Sequence, residues 1–232
     1  GSTTVAYDTF IGHDNAEQAD KGNLSFPVNV VTQIQSSDGL GSTYTTQYSY
    51  DKGKFDYAER EFRGFGKVKV TDVEGNYSLN YFLQGDYDKG RPVKQEAYDS
   101  MGNLFTKAES TWLTQEPYAG FPDIKFVYLS ESNSYTYDGD SSARRTKTYY
   151  EYGESPQYGN PTHIWEYGEV DPDTGYDIGE DLRRTVIYYT YNSNNWILSL
   201  PAETRTFDIY QNKLSEKLFY YDNNSNIYYL PI

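Results

Sequence analysis

Short turn sequences recur along the whole chain, and their spacing limits the fold more than any other feature. An acidic residue is closely followed by glycine or asparagine at Asp38-Gly39, Asp51-Lys52-Gly53, Glu74-Gly75-Asn76, Asp88-Lys89-Gly90, Asp99-Ser100-Met101-Gly102-Asn103 and Asp138-Gly139. Aspartate at the start of a turn accepts backbone N–H bonds, and glycine or asparagine adopts the positive φ that tight turns require. The chain between such turns has room for strands and not for long helices.

Strand-like segments occupy the intervals between these turns. In Lys67–Asp72 two valines alternate with polar residues, the period of a half-buried strand. The predicted strands are Thr43–Tyr50, Lys67–Asp72, Tyr77–Leu83, Val93–Tyr98, Lys125–Leu129, Thr146–Tyr152, Thr185–Tyr191 and Lys217–Tyr221. We therefore predict an all-β fold, an elongated, curved antiparallel sheet of consecutive β-hairpins with little or no helix. The best helical candidate, Asp14–Ala19, is more typical of a polar loop or a single turn.

The composition excludes several functional classes. A net charge of −14 repels nucleic-acid phosphates and anionic lipid surfaces. No apolar segment approaches the length of a bilayer span. With no cysteine and two histidines, neither a disulfide framework nor a zinc site built from these residues is expected. We predict no nucleic-acid binding, no membrane insertion and no cofactor, while the 27 tyrosines suit a sheet with both faces partly exposed.

One segment, Phe55–Val70, combines a turn, a block of opposite charges and two Phe-Xaa-Gly steps. Its central motif is Glu59-Arg60-Glu61-Phe62-Arg63-Gly64-Phe65-Gly66. The acids and arginines can pair locally, which allows partly covered charges to persist. The two glycines remove side chains, so that a neighbouring backbone or ring can come close.

The region Leu24–Leu113 resembles the Rhs/YD-repeat proteins, and specifically the middle region of the B component of insecticidal toxin complexes. The resemblance rests on Leu24–Val31, Tyr50–Asp56 and Glu59–Gly66, and continues more weakly through Tyr158–Thr162 and Ile197–Arg205. Tyrosine followed by an acid recurs, as in a degenerate repeat, at Tyr50-Asp51, Tyr87-Asp88, Tyr98-Asp99, Tyr137-Asp138, Tyr150-Glu151 and Tyr221-Asp222.

The resemblance implies a non-catalytic structural segment of a toxin shell that encloses a C-terminal toxic polypeptide for delivery. It implies as partners the other segments of the parent chain, the enclosed polypeptide and other toxin-complex subunits, and as location a bacterial secreted or cell-surface protein. The chain is then a fragment of a longer one. Residues 1–23 are expected to be a flexible lead-in, with Gly1-Ser2 a cloning scar, and residues 24–232 the repeat-like sheet, with a loop break near 114–120. An acidic lining would attract a basic cargo.

Three alternative sites compete with this structural interpretation. Glu59 and Glu61, two apart on a strand, would have a spacing suited to glycoside hydrolysis, although the adjacent arginines favour ionised carboxylates. Asp171, Asp173 and Asp177 are calcium candidates in a loop that is better explained as a solvated hairpin tip. Trp112, Trp165 and Trp196 form a possible sugar-stacking platform, which supports the alternative function of a surface-exposed carbohydrate-binding or adhesive module.

Overall fold

The computed structural model describes residues 1–10, 24, 26–117, 120–139, 142–153, 158–222 and 226, with Ser193 described by its backbone only. Thirteen antiparallel strands pair in chain order, from β1 to β13. They are β1 (Ser2–Thr9), β2 (Asn29–Ser37), β3 (Thr43–Asp56), β4 (Glu61–Thr71), β5 (Tyr77–Phe82), β6 (Pro92–Tyr98), β7 (Leu104–Gln115), β8 (Phe126–Thr136), β9 (Arg144–Glu151), β10 (His163–Val170), β11 (Arg183–Asn192), β12 (Ile197–Phe207) and β13 (Lys213–Leu218). A 3₁₀ turn, Ser193–Asn195, joins β11 to β12. The predicted all-β fold of consecutive antiparallel hairpins is confirmed.

The N-terminal prediction is wrong for the first strand. Ser2–Thr9 forms β1, and its residues pair with β2 from Ser2↔Ser37 to Thr9↔Asn29. Threonine, valine and tyrosine give this segment strong strand propensity, so it joins the sheet and is not a flexible lead-in. The candidate turn Asp14–Ala19 lies outside the described residues.

The chain divides into two compact units. Unit 1 is Gly1–Glu109 with Thr136–Ala143, and unit 2 is Ser110–Tyr135 with Arg144–Ile232. Of the residues that the structure describes, few apolar side chains are fully covered in either unit, which is typical of a sheet with both faces partly exposed. The connection from β7 to β8 runs over residues 116–125, where the loop break is expected. Within the described ranges, no helix is long and apolar enough to cross a membrane.

Besides β1, the strands β2, β7, β10 and β12 coincide with no predicted strand. β12 includes Pro201, which has no backbone N–H to donate and usually argues against a strand. The sheet accommodates it at a bulge, because Tyr188 pairs with Glu203 and Tyr189 with Pro201, leaving Ala202 as the extra residue. The last predicted strand, Lys217–Tyr221, has the wrong bounds, because β13 is Lys213–Leu218. The aromatic residues after Leu218 have high strand propensity, which placed the predicted strand too far along the chain.

Aspartate caps the predicted turn at Asp38-Gly39, whereas the predicted turn at Asp51-Lys52-Gly53 is wrong, because these residues lie inside β3. Asp38 Oδ1 accepts the backbone N–H groups of Leu40 and Ser42, at 2.7 and 3.1 Å. Asp171 Oδ1 accepts those of Asp173 and Thr174, at 3.1 and 2.7 Å. These bonds satisfy turn amides that no strand partner reaches.

Candidate functional site: the charged hairpin and the faces of each unit

The β3–β4 hairpin carries the charged motif. β3 ends at Asp56 and β4 begins at Glu61, so Glu59 and Arg60 lie in the turn between the strands. Asp56 Oδ1 accepts the backbone N–H groups of Ala58 and Glu59, at 3.0 and 3.1 Å. The Glu59 N–H is the main reason that the pKa of Asp56 lies below its usual range. An ionised aspartate therefore fixes this turn.

Arg63 is buried at the base of the hairpin, with 4% of its surface exposed. Its Nη2 lies 2.8 Å from Asp86 Oδ1 and 3.3 Å from Asp56 Oδ2, and its Nε lies 3.4 Å from Glu61 Oε2. Its Nη1 donates to the Gly85 carbonyl at 3.0 Å. A buried cation requires such partners. Of the predicted local pairs, that of Arg63 with Glu61 is observed, and Arg63 also joins the hairpin to the β5–β6 connection.

The two carboxylates of the hydrolase alternative have different environments. Glu61 receives two bonds from Lys89 Nζ, at 2.5 and 2.6 Å, and the first cause of its lowered pKa is this hydrogen bond. Glu59 lies in the exposed turn and not on the strand. A carboxyl whose pKa is lowered stays ionised and cannot act as the general acid that glycoside hydrolysis needs. The assumed strand geometry of the pair is wrong.

The glycines of the motif have two different roles. Gly64 has a φ of 82° at the point where the β3–β4 register shifts, a conformation that favours glycine. At Gly66 an added Cβ would lie 2.8 Å from Gln84 Oε1, so the close approach is made by a side-chain amide and not by the predicted backbone or ring. The rings of Phe62 and Phe65 meet edge to face, with centroids 5.4 Å apart.

The three tryptophans lie on different elements of unit 2. Trp112 is in β7 and Trp165 is in β10, where the guanidinium of Arg184 lies 5.3 Å from its ring centroid. Trp196 follows the 3₁₀ turn with a φ of 54° and is 82% exposed. The indole of Trp165 therefore already has a cation against it, and Trp196 is the member with its surface accessible.

The calcium candidates are engaged in their own loop. Asp171 Oδ1 accepts from the Thr174 hydroxyl at 2.7 Å as well as from backbone amides, and the Thr174 N–H is the main reason for its lowered pKa. Asp177 Oδ1 accepts from the Gly179 N–H at 3.3 Å. Over the described ranges, no three His, Cys, Asp or Glu side chains are grouped to hold a metal ion. The three aspartates therefore lie in one hairpin tip, where the carboxylates of Asp171 and Asp177 accept hydrogen bonds from the loop itself and the Asp173 N–H donates to Asp171.

Strand register separates charged from uncharged residues in unit 1. One face of β3–β7 carries two ladders, Asp51↔Lys67↔Tyr81↔Lys94↔Glu109 and Ser49↔Lys69↔Leu79↔Glu96↔Lys107. The other face carries Tyr50↔Val68↔Asn80↔Gln95↔Ala108 and Tyr48↔Val70↔Ser78↔Ala97↔Thr106. We call these the charged face and the uncharged face of unit 1. Neither is acidic, so β3–β7 does not form the expected acidic lining.

Lysines on the charged face of unit 1 contact aromatic rings as well as acids. Lys69 Nζ lies 4.0 Å from the centroid of the Tyr77 ring, and Lys94 Nζ lies 4.2 Å from that of Tyr81. Lys94 also pairs with Glu96 at 3.0 Å. Such cation–aromatic contacts stabilise a charge that is partly removed from water.

Unit 2 has a face of the same kind. Lys147 Nζ lies 4.2 Å from the Tyr167 centroid, and Arg145 lies 5.3 Å from Tyr135. Further contacts join Arg184 to Trp165 and Phe207, and Arg205 to Tyr188, Glu203 and Glu216. We call this the charged face of unit 2. Neither charged face could be predicted from the sequence, because alternation shows that lysine and tyrosine share a strand face but not which residues meet across strands.

The geometry described above defines a class of protein, an antiparallel sheet in which each strand pairs with the next along the chain. Residues 1–94 match the family model described as the middle/N-terminal region of the insecticide toxin TcdB. The resemblance to the middle region of a toxin B component is thereby confirmed. No curated protein matches the sequence.

Solved structures of toxin complexes have the same fold. The structure of TcdB2-TccC3-TEV matches with a TM-score of 0.66 and 18% identity, covering 88% of this chain and 14% of that chain. The Photorhabdus luminescens Tc holotoxin pore matches with a TM-score of 0.66 and 19% identity, covering 89% of this chain and 14% of that one. This chain thus spans about one seventh of those proteins, and the similarity establishes its fold.

Proposed function

We propose that this chain is a non-catalytic wall segment of a toxin shell that encloses a toxic C-terminal polypeptide for delivery. The observation that carries the proposal is the match of residues 1–94 to the TcdB middle/N-terminal region. The sheet also supports the proposal, because each strand pairs with the next along the chain. A sheet built in this order can be lengthened by adding hairpins, as a wall made of many repeats requires.

The arrangement of charge supports a structural role. Arg63, the most buried cation of the central motif, is neutralised by acids of its own hairpin and of the β5–β6 connection. Glu61, the best acid candidate of the motif, is held ionised by Lys89. Side chains committed to one another in this way hold a sheet together and are poorly placed to transfer protons.

The proposed partners follow from the same comparison. They are the remaining segments of the parent chain, the enclosed polypeptide and further toxin-complex subunits, since the similar structures contain TcdB2 with TccC3 or the Tc holotoxin. The proposed location is outside the bacterial cell or at its surface.

Protection from protease tests the enclosure. The parent protein with its natural downstream region is treated with protease, and mass spectrometry follows the downstream polypeptide. We expect it to survive in the wild-type protein and to be digested faster when Arg63→Met loosens this segment, with Arg60→Lys in the exposed turn as the matched control. Digestion of the wild-type cargo at the rate of an unfolded chain would overturn the proposal.

Carbohydrate binding is a second candidate, favoured by the 82% exposure of Trp196. A glycan screen read by tryptophan fluorescence tests it. Binding should change the emission of the wild-type protein and leave that of Trp196→Phe unchanged. A response that persists in Trp196→Phe would reject Trp196 as the sugar platform.

A further inference from the structure

The hairpin formed by β11 and β12 carries no charge at its tip. Residues 185–202 include no acidic or basic side chain, although 23% of the residues of the whole chain are charged. The loop 158–162 is uncharged as well, and two hydrogen bonds join it to the hairpin. Asn160 Nδ2 donates to the Leu198 carbonyl at 2.7 Å, and the Tyr189 hydroxyl donates to the Pro161 carbonyl at 3.0 Å. We call residues 158–162 and 190–198 together the uncharged tip of unit 2.

Three aromatic side chains of the uncharged tip are accessible to solvent. Trp196 is 82% exposed, Tyr191 57% and Tyr158 42%. The rings of Tyr158 and Tyr191 meet with their centroids 5.8 Å apart, at an angle of 44°. Asn194 and Asn195 are also exposed, so amide donors and acceptors precede Trp196 directly in the chain. A ligand arriving from solution therefore reaches both aromatic rings and hydrogen-bonding groups here.

The stability of the hairpin does not explain the presence of a tryptophan at position 196. Trp196 has a φ of 54°, in the left-handed region, where a bulky side chain is rare and asparagine is much better tolerated. An indole that is largely exposed buries too little apolar surface to offset this strain. Backbone strain of this kind is typical of residues at binding sites. Contact with a ligand therefore explains this side chain better than packing does.

We propose that the uncharged tip of unit 2 binds uncharged oligosaccharides, with Trp196, Tyr191 and Tyr158 stacking on sugar rings. The apolar face of a sugar ring fits an aromatic ring, and the amides of Asn194 and Asn195 are suited to its hydroxyl groups. The tip has no cationic residue for the carboxylate or sulfate of an acidic glycan, and the net charge of −14 repels such a ligand. The inference rests on the carbohydrate-binding candidate above, which it places at one hairpin and restricts to uncharged sugars.

Nuclear magnetic resonance of the ¹⁵N-labelled full chain tests this site through the indole N–H signals of its three tryptophans. The uncharged probes are maltohexaose, cellohexaose and chitohexaose, and hexagalacturonate is the acidic probe. We expect at least one uncharged probe to shift the Trp196 signal saturably. The signals of Trp112 and Trp165 should stay in place, and hexagalacturonate should have no effect.

Variants separate binding from folding, with saturation transfer from protein to sugar as the measure of binding where the indole is removed. Trp196→Asn should abolish the saturation transfer and leave the midpoint of urea unfolding unchanged or raised, since asparagine suits the backbone better. Tyr191→Ala should weaken the affinity by roughly three- to tenfold. Tyr176→Ala, at an exposed tyrosine of the acidic hairpin tip, is the matched control and should bind as the wild type does.

Each other outcome counts against the proposal. Hexagalacturonate binding as tightly as the uncharged probes would overturn the restriction to uncharged sugars and leave the carbohydrate-binding candidate standing. Sugar binding that persists in Trp196→Asn would place the site elsewhere, and a lower unfolding midpoint of that variant would show that the indole supports the fold. A shift of the Trp196 signal by phosphatidylcholine vesicles alone would assign the tip to a lipid surface.

An unchanged Trp196 signal with every sugar probe would reject this site. The glycan screen then decides separately whether the chain binds carbohydrate at another place. The protease experiment reads enclosure in the parent protein, so the failure of the wall proposal and the failure of the sugar site are distinguishable.

Discussion

Asp99 and Asn103 close one turn with two bonds. Asp99 Oδ1 accepts the backbone N–H of Asn103 at 2.8 Å, and the Asn103 side-chain amide donates to Asp99 Oδ2 at 2.7 Å. The same pair of bonds recurs at Asp72–Asn76, at 2.9 and 3.0 Å, and at Asp208–Asn212, at 2.8 and 3.0 Å. One turn design is thus used between β4 and β5, between β6 and β7 and between β12 and β13.

Stability should fall in acid because of these turns. The pKa of Asp72, Asp99 and Asp208 lies below the ordinary value of 3.8, first because an asparagine amide donates to the ionised carboxylate. A group whose pKa is lower in the folded state contributes stability above its unfolded pKa and loses it as pH falls through the folded pKa. Urea unfolding should therefore give a free energy that decreases as the pH drops below about 3.8.

The asparagine partners provide the control for this prediction. Replacing Asn76, Asn103 and Asn212 with alanine should bring the aspartate pKa values back towards 3.8 and make the loss of stability in acid less steep. An identical acid dependence in the triple variant and the wild type would contradict the assignment.

The third copy of the turn contains a residue poorly suited to its backbone. Gln211 has a φ of 65°, whereas Gly102 occupies the equivalent position with a φ of 90°. In this left-handed region of φ, a non-glycine residue strains the folded backbone by roughly 1–2 kcal/mol. Glycine removes that strain, but its greater freedom in the unfolded chain offsets roughly half of the gain in stability. Gln211→Gly should stabilise the protein by roughly 0.5–1 kcal/mol, measured by urea unfolding.

The reverse substitution is the matched test. A Cβ at Gly102 would have the Tyr77 hydroxyl as its nearest neighbour, at 3.8 Å, so Gly102→Gln tests the backbone angle without a steric clash. It should destabilise by roughly 0.5–1 kcal/mol. If Gln211→Gly and Gly102→Gln change the free energy of unfolding in the same direction, the turn conformation does not explain the difference between the two positions.

Local chemistry explains why the turns and most strands could be predicted. Asp99 and Gly102 form their turn through contacts within five residues, so the sequence contains the whole cause. β1 and β12 were harder, because β1 depends on pairing with β2 and Pro201 is tolerated only through the bulge beside Tyr189. Strand identity in those cases is decided by a neighbour distant in sequence.

The candidate sites show the same limit. The pairing of Arg63 with Glu61 is local and was predicted, whereas Asp56 lies before the motif, Asp86 lies in the next connection, and neither pairing was predicted. Nothing in the sequence indicates that Arg184 lies between Trp165 and Phe207, because that depends on two registers that set which side chains meet.

Arg63 should be among the most costly side chains of the motif to remove. Arg63→Met removes the donor to the Gly85 carbonyl and leaves its acidic neighbours without their common cation. Hydrogen bonds to a charged group contribute about 1.5–3 kcal/mol, and we expect a loss of stability of this size. Arg63→Lys should recover only part of it, since an ammonium cannot reach several oxygens at once. Arg60→Lys should be neutral, and an equal loss at Arg60 would refute a special role for Arg63.

Gly66 should tolerate alanine only when Gln84 is shortened. Gln84 Nε2 donates to the carbonyls of Lys52 and Gly64, each at 2.8 Å, and this places its Oε1 2.8 Å from where a Cβ of residue 66 would lie. Overpacking of this kind costs typically about 1–3 kcal/mol. The Cβ would also approach Lys52 Cβ at 3.0 Å, so shortening Gln84 should relieve most and not all of the strain.

A double-mutant cycle separates this clash from backbone strain. Gly66→Ala and Gln84→Ala should each destabilise, and the double variant should be less destabilised than the sum of the two by about 1 kcal/mol or more. Gly41→Ala, in the turn between β2 and β3, has no neighbour within 4 Å of the new Cβ and loses stability only through its φ of 107°, so its effect should add to that of Gln84→Ala. Strict additivity for Gly66 and Gln84 would show that the glycine is required for another reason.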